Sequence, residues 1–403
     1  MRRLAGAAQP PSGRYDVDVI ILSFDRAEET CAAIESALRQ EGVSRHVTVL
    51  DQGSCAPARA RVAAFVDGRP DVTLLAVERN LGVPGGRNRA SAFGHGDAIA
   101  GLDNDAEFAA PDTLARAREA LAAAPRTGVL GCRILTHASA VDDLSSWGYP
   151  AALLPRAGER FDAATFVGAG HVIRRAAWES VGGYDSALFF CWEEFDLSLR
   201  LLAAGWAIRY HGDLAVTHKV SGEHRVHWSG ARWYHHVRNR LYIGRKFGAG
   251  WVTLSPRVAA YLAKGWRNGR LAETRRAIAD AARMPMAAPP RPLPAPVRAY
   301  LQAVDRAPRG SWHQRLRREV LAPLDAAALV RPAAPCPATR PEWAPDAAPA
   351  QAVSAPPDGV PVHAVIPTPS VPTPSALEPF SLWERPADRF PRPVPEREPV
   401  SAE

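Results

Sequence analysis

Between about residue 15 and residue 220, short apolar β-rich runs alternate with stretches whose alanines and leucines recur at helical spacing. "VDVIILS" (17–23), "HVTVLD" (46–51), "VTLLAVE" (72–78), "DAIAGLD" (97–103) and "TGVLGCRIL" (127–135) are the strand candidates. "RAEETCAAIESALRQEG", "ARARVAAFVDG" and "PDTLARAREALAAAP" lie between them, the last opening on Pro-Asp and closing before Pro125. This alternation predicts βαβ units and a mainly parallel, doubly wound α/β sheet. Residues 1–14 read as a loose lead-in. A second block over 161–220 carries a helix from Glu193 to Ala204, with Leu197 and Leu201 one turn apart and Gly205 where it stops. The basic, aromatic run 228–247 predicts a helix, either laid on an anionic surface or docked on the core. Residues 251–284 and about 297–330 also read as helical, the latter rich in arginine.

Composition changes this picture mainly at the C-terminal end. Of the 37 prolines, 27 fall in 285–403, and beyond about 331 no stretch keeps a hydrophobic period. "PSVPTPSALEP" and "RFPRPVPEREPV" read as disordered or polyproline II segments. The expected organisation is a flexible N-terminus (1–14), an α/β domain (15–250), a helical extension (251–330) and a disordered Pro-rich tail (331–403). The formal charge of +7 comes almost wholly from arginine, since lysine occurs only at 219, 246 and 264. Such a surface favours phosphates, acidic lipid or nucleic acid. The arginines are spread along the chain and no nucleic-acid module is recognisable, so nucleic acid is not an expected partner. Five widely spaced cysteines without a CxxC pair argue against a disulfide framework or a cysteine zinc site, and agree with a reducing cytoplasm. "MRRLAGAAQPPSG" has no apolar run behind its arginines, and no stretch reaches roughly 18 uninterrupted apolar residues. Any membrane contact is therefore expected to be peripheral.

In an open parallel sheet, ligands sit beyond the carboxyl ends of the strands. Those ends read Ser23-Phe24-Asp25-Arg26, Asp51-Gln52-Gly53-Ser54, "ERNLGVPGGRNRA" and Asp103-Asn104-Asp105. All four are polar, as a nucleotide cleft requires. In "NLGVPGGRN" three glycines allow positive φ and close backbone approach, and Arg79 and Arg87 are placed to pair with a diphosphate. An ordinary Gly-rich strand-to-helix turn is the alternative. The two carboxylates of Asp103 and Asp105 repel each other, so a positive partner is required between them. A hard divalent cation is the candidate, with an acidic turn or helix cap as the plain alternative. "WEEFDLSLR" clusters Glu193, Glu194 and Asp196 at a helix start, where acids are common because of the helix dipole. A general base must be near its working pKa and within reach of the proton. Like charges raise such a carboxyl and the helix N-terminus lowers it, and the sequence leaves the sum open. His218 ends a strand-like run, "LAVTHKVSG", and an isolated histidine is more often structural or at the surface than a ligand.

Taken in order, the opening strand with "SFDRAEET", then "VLDQGS", "RNLGVPGGRN", "LDNDAEF", "GAGHVIRRAAWESVGGYD", "WEEFDLSLRLLAAGW" and a later histidine resemble the family 2 glycosyltransferases. These are inverting enzymes with a GT-A fold. The resemblance covers roughly residues 15 to 247 and is similar, within the family, to bacterial rhamnosyl- and galactofuranosyl-transferases. It implies that Asp51 hydrogen-bonds the nucleotide base, with Ser23 and Asp25 flanking it. It implies that Arg79, Gly82, Gly86, Asn88 and Asp103 line the nucleotide-sugar pocket. Asp103 and Asp105 match the family's DxD, which holds Mg²⁺ or Mn²⁺ on the diphosphate, and His218 matches a third metal ligand. Glu194 falls on the position of the base, as Glu where Asp is more usual. Trp192, Glu193 and Gly170 would face the acceptor side. The implied activity is transfer of a sugar from a nucleotide-sugar donor to a hydroxyl of a glycan, lipid-linked or other acceptor. The implied place is the cytoplasm or the inner face of the cell membrane. A sugar-phosphate nucleotidyltransferase of similar fold would carry a Gly-rich basic signature after the first strand, which "LSFDRAEET" lacks. A non-catalytic scaffold would use the Pro-rich tail to recruit partners.

Overall fold

A computed structural model describes residues 1–219 and 228–311, together with 313, 314, 320, 321 and 324. The expected Pro-rich tail, His224, His227 and most of the expected helix beyond 311 lie outside the described residues. The described strands are β1 (Arg2–Gly6), β2 (Val17–Ser23), β3 (Arg45–Asp51), β4 (Val72–Ala76), β5 (Ala98–Asp103), β6 (Ala106–Phe108), β7 (Thr127–Thr136), β8 (Arg160–Asp162), β9 (Gly170–Arg174) and β10 (Ala207–His218). They form one sheet in the order β1-β4-β3-β2-β5-β9-β7-β10-β6, with β8 also on β10. Strands β4, β3, β2 and β5 are mutually parallel. β9 runs against them, and β7 and β10 resume the parallel direction. The α/β fold with a mainly parallel sheet is thus present, mixed in its second half because the short "GHVIR" inserts antiparallel between β5 and β7.

The helices are α1 (Ala27–Leu38), α2 (Ala56–Val66), α3 (Gly82–Ser91), α4 (Thr113–Ala123), α5 (Arg175–Ser180), α6 (Glu193–Ala203), α7 (Gly230–Lys246), α8 (Trp251–Arg267), α9 (Leu271–Arg283) and α10 (Ala295–Leu301). Alternate side chains of a strand point to opposite faces, and β2 shows the result. Val19 and Ile21 join Ile34 of α1, Val62 of α2 and Leu114 of α4 on one side. Ile20 joins Ala90 of α3, Trp178 of α5, Leu197 of α6 and Tyr242 of α7 on the other. The sheet is therefore covered by helices on both faces, which its apolar strands require.

Two local expectations are corrected and one open alternative is decided. Within the expected loose lead-in, Arg2–Gly6 pairs antiparallel with β4, where the edge was open and Ala5 buries itself. The helical stretch 251–284 is two helices, because Gly269 turns left-handed (φ 64°) and the amide of Arg270 donates to the carbonyl of Gly265. Of the two readings of 228–247, docking is the one realised. Trp233, Val237 and Leu241 of α7 pack with Leu254 of α8 and with Ala277 and Ala281 of α9.

Strand register places the polar ends side by side. Ser23 pairs with Asp51, and Leu22 with Asp103. The chain leaves β5 through Asn104 and Asp105 into β6, whose Ala106 pairs with His218 at the end of β10.

Candidate active site

That last pairing assembles a cluster from residues distant in sequence. Asp103, Asp105 and His218 each offer one ligand atom, and these atoms lie within 4.8 Å of one another. His218 Nε2 stands 3.4 Å from Asp105 Oδ1. Its other nitrogen, Nδ1, is 3.1 Å from Asp143 Oδ2. Ser145 and Ser146 both donate hydroxyl hydrogen bonds to the Asp143 carboxylate, at 2.6 Å each. Burial alone would raise the Asp143 carboxyl, but the hydrogen bonds from His218, Ser145 and Ser146 win and hold it well below the ordinary carboxylate range. A carboxylate on Nδ1 keeps the proton there and leaves Nε2 with its lone pair toward the two aspartates, the usual support of a metal-ligating histidine. One imidazole and two carboxylates fit a divalent cation of the Mn²⁺ or Mg²⁺ kind, and three protein ligands leave coordination positions for further oxygens.

The repulsion between the two aspartates is relieved within the chain. Arg26 pairs with Asp105, and Arg87 Nη2 pairs with Asp103 Oδ1 at 2.9 Å. Arg26 is aimed by a strained turn after β2, where both Asp25 (φ 56°) and Arg26 (φ 36°) are left-handed. That turn is fastened to the one after β3. The amide of Cys55 donates to Asp25 Oδ1 (2.8 Å), and the amide of Asp25 donates to Ser54 Oγ (2.9 Å).

Arg87 is the link between this cluster and the acidic helix start. Its buried guanidinium donates to the carbonyl of Gly168 (2.7 Å) and reaches Glu194 Oε1 at 3.6 Å. Expected to pair with a diphosphate, it is engaged instead with Asp103, Gly168, Tyr184 and Glu194. Burial pushes the Glu194 carboxyl above its usual range, and the Arg87 charge pulls part of that back. Glu193 is pushed up further, by burial and then by the neighbouring Glu194 charge. Its Oε2 is buried without a hydrogen-bond partner among the described residues. Asp196 is different. It is neutralised by Arg200 at 2.9 Å and Lys246 at 2.8 Å, a structural ion cluster under α6.

The other expected site residues divide. Asp51 is buried at the end of β3, its Oδ1 accepting from the amides of Gly53 and Ser54 and from Arg59 Nε. Ser23 is buried beside it with its hydroxyl 3.5 Å from that of Thr30. Arg79 is exposed beyond β4. Gly82, Gly86 and Asn88 use their special properties for packing. A side chain on Gly82 (φ 73°) would collide with the carbonyl of Phe189, and one on Gly86 would press on Gln52. Asn88 exchanges hydrogen bonds with the backbone of Tyr184, donating to its carbonyl and accepting from its amide, both at 2.8 Å. Gly170, expected on the acceptor side, is buried in β9 with Val216 packed against it. It belongs to the core. Trp192 is half-buried, donating from Nε1 to the carbonyl of His236 (3.1 Å). Sequence reasoning missed Asp143, and placed Arg26 among the polar residues after the first strand without its partner. Each acts on a residue more than 70 positions away, which no local period marks.

Against known proteins, residues 18–182 match the family described as Glycosyl transferase family 2. The succinoglycan biosynthesis protein ExoO of Rhizobium meliloti (strain 1021) is 42% identical over 101 residues, covering 25% of this chain and 28% of that protein. The O-antigen biosynthesis protein RfbC of Myxococcus xanthus is 24% identical over 241 residues, covering 54% of this chain and 18% of that protein. The chain thus spans less than a third of the length of either curated relative. Among solved structures, the mannosyltransferase PcManGT from Pyrobaculum calidifontis, in complex with GDP-Man and Mn²⁺, covers 78% of this chain and 87% of its own at a TM-score of 0.48 and 19% identity. From the ordered motifs, the sheet that collects them and the family match, the conclusion is that this chain carries, over residues 18–182, a family 2 glycosyltransferase domain.

Proposed function

We propose that the chain moves a sugar from a nucleotide-sugar donor to an acceptor hydroxyl with inversion at the anomeric carbon, Glu194 acting as general base. The observation that carries this reading is Arg87, whose one buried guanidinium pairs with both Asp103 and Glu194 and so brings the cluster and the helix start together. Asp103, Asp105 and His218 would hold Mg²⁺ or Mn²⁺, which when bound supplies a Lewis acid for the charge that grows on a leaving diphosphate. Asp143 holds the His218 proton on Nδ1. Burial raises the Glu194 carboxyl and the Arg87 charge opposes part of that rise, and Glu194 takes the proton of the attacking hydroxyl. Ser23 and Asp51, paired at the ends of β2 and β3, and Asp25 just beyond them would receive the nucleoside, with Arg79 after β4.

The acceptor in this proposal is a glycan or lipid-linked glycan, following two relatives named for succinoglycan and O-antigen biosynthesis. Among the described residues no helix is long and apolar enough to cross a membrane. A peripheral contact with the anionic inner face of the membrane is part of the proposal. It falls to α8, which exposes Trp251, Val252 and Trp266 and carries Lys264 and Arg267 in its last turn. The test is calorimetric titration of Mn²⁺ with a panel of sugar nucleotides into the wild type and Asp105→Ala. One sugar nucleotide is expected to bind in a metal-dependent way to the wild type and at least about tenfold more weakly to the variant. Equal binding to both proteins overturns the assignment of the cluster.

A further inference from the structure

The segment that delivers Glu194 has an unusual backbone. Phe189 (φ 62°), Cys191 (φ 71°) and Trp192 (φ 71°) are all left-handed, three non-glycine residues within four. Such a turn persists only where its surroundings over-determine it. Its backbone also lacks the helical partners that carbonyls would otherwise find.

Both needs are met from α7. The side-chain amide of Asn239, fully buried, donates from Nδ2 to the carbonyls of Leu188, Phe190 and Cys191, each at 2.8 Å. Arg238 Nη2 donates to the carbonyls of Ala187 (3.1 Å) and Leu188 (2.8 Å). Arg238 Nε donates to Asn239 Oδ1 (2.9 Å), which fixes the amide with its NH₂ toward the turn. The remaining carbonyl, that of Phe189, accepts from the amide of Val83 at the start of α3. Five consecutive carbonyls, 187 to 191, are thus all satisfied by tertiary donors. The His235 ring stacks on Phe189 at 5.5 Å.

We infer that Asn239, oriented by Arg238, is a positioning residue for the base: it holds the left-handed turn that sets Glu194 against Arg87 and Gly168. The inference rests on the reading of Glu194 as base and adds a role for α7, which neither the sequence pattern nor the family match over 18–182 contains. Asparagine is suited to the task. Its planar amide presents two N–H groups to clustered carbonyls and an acceptor behind. Aspartate has the same shape and no such donor.

The experiment is a double-mutant cycle on the full chain with the sugar nucleotide found above, using Asn239→Ala, Glu194→Gln and the double variant, each checked by thermal melting. Asn239→Ala is expected to lower kcat about 100-fold, the scale of an ångström-sized misplacement, with donor KM changed less than about threefold. In the Glu194→Gln background it is expected to do nothing further to the residual turnover. A wild-type kcat in Asn239→Ala, or the same fold loss in both backgrounds, overturns the positioning role. Full turnover in Glu194→Gln alone overturns the base assignment instead, so the two failures are distinguishable. Should Asn239→Ala not fold, Arg238→Met runs the same cycle with an expected loss of about tenfold. The conservative Asn239→Asp, with its donors gone, is expected to fail to rescue kcat, and rescue by it also counts against the clamp.

Discussion

The two groups of carboxylates joined by Arg87 are held by opposite means. On the cluster side, Asp103 and Asp105 stand at strand ends whose positions are set by ladder register, and each has a guanidinium on it. On the other side, Glu193 and Glu194 begin a helix entered through a left-handed turn, and both carboxyls are pushed up by burial. The first arrangement fixes both carboxylates in place and balances their charge within the chain. The second raises the affinity of its carboxyls for a proton, which suits a group that is to take one from a hydroxyl. Arg87 belongs to both and ties the protonation of one to the charge of the other.

The comparison can be broken most sharply at Glu194. Glu194→Gln is expected to lower kcat by about 10³-fold while donor binding by calorimetry stays within a factor of about two. Comparable losses in both would make this side part of the donor pocket. Next in size is the support of His218. Asp143→Ala is expected to weaken Mn²⁺ binding by about 10- to 100-fold, read by titration calorimetry, with kcat recovering at saturating metal. The smallest effect concerns pH and sharpens the role of Arg87. Because burial raises the Glu194 carboxyl, the acid limb of kcat is expected above the ordinary carboxylate range. Arg87 lowers that carboxyl, so Arg87→Gln is expected to move the limb to higher pH, read from kcat profiles of the two proteins. A shift to lower pH would mean that the limb belongs to another group.

Much of this arrangement was legible from residues alone, for reasons that the structure makes plain. β2, β3, β4, β5 and β7 are nearly continuous apolar runs because helices cover both faces, and the acids at their ends stand out against that background. The helix start at Glu193 was visible through Leu197, Leu201 and Gly205. β9 was not, since five residues of "GHVIR" show no alternation that differs from a loop. The glycines of "NLGVPGGRN" were rightly read as permitting close approach, but what approaches is Phe189 and the Gln52 side chain. Asp143 and Asn239 left no trace in the pattern, and Arg26 showed only as one of the polar residues after β2. Their meaning comes from partners 48 to 79 residues away, brought near only by the sheet and by α7 docking.

The pairing of β6 with β10 has a consequence for how the protein matures. Side chains alternate along a strand, so sliding β10 by one residue against Ala106 would present Thr217 or Lys219 where His218 now stands. The imidazole reaches the aspartates only in one alignment of two segments separated by more than a hundred residues. Ion affinity in a refolding chain is therefore expected to arise late and all at once, as a checkpoint on sheet closure that separates finished molecules from misaligned ones.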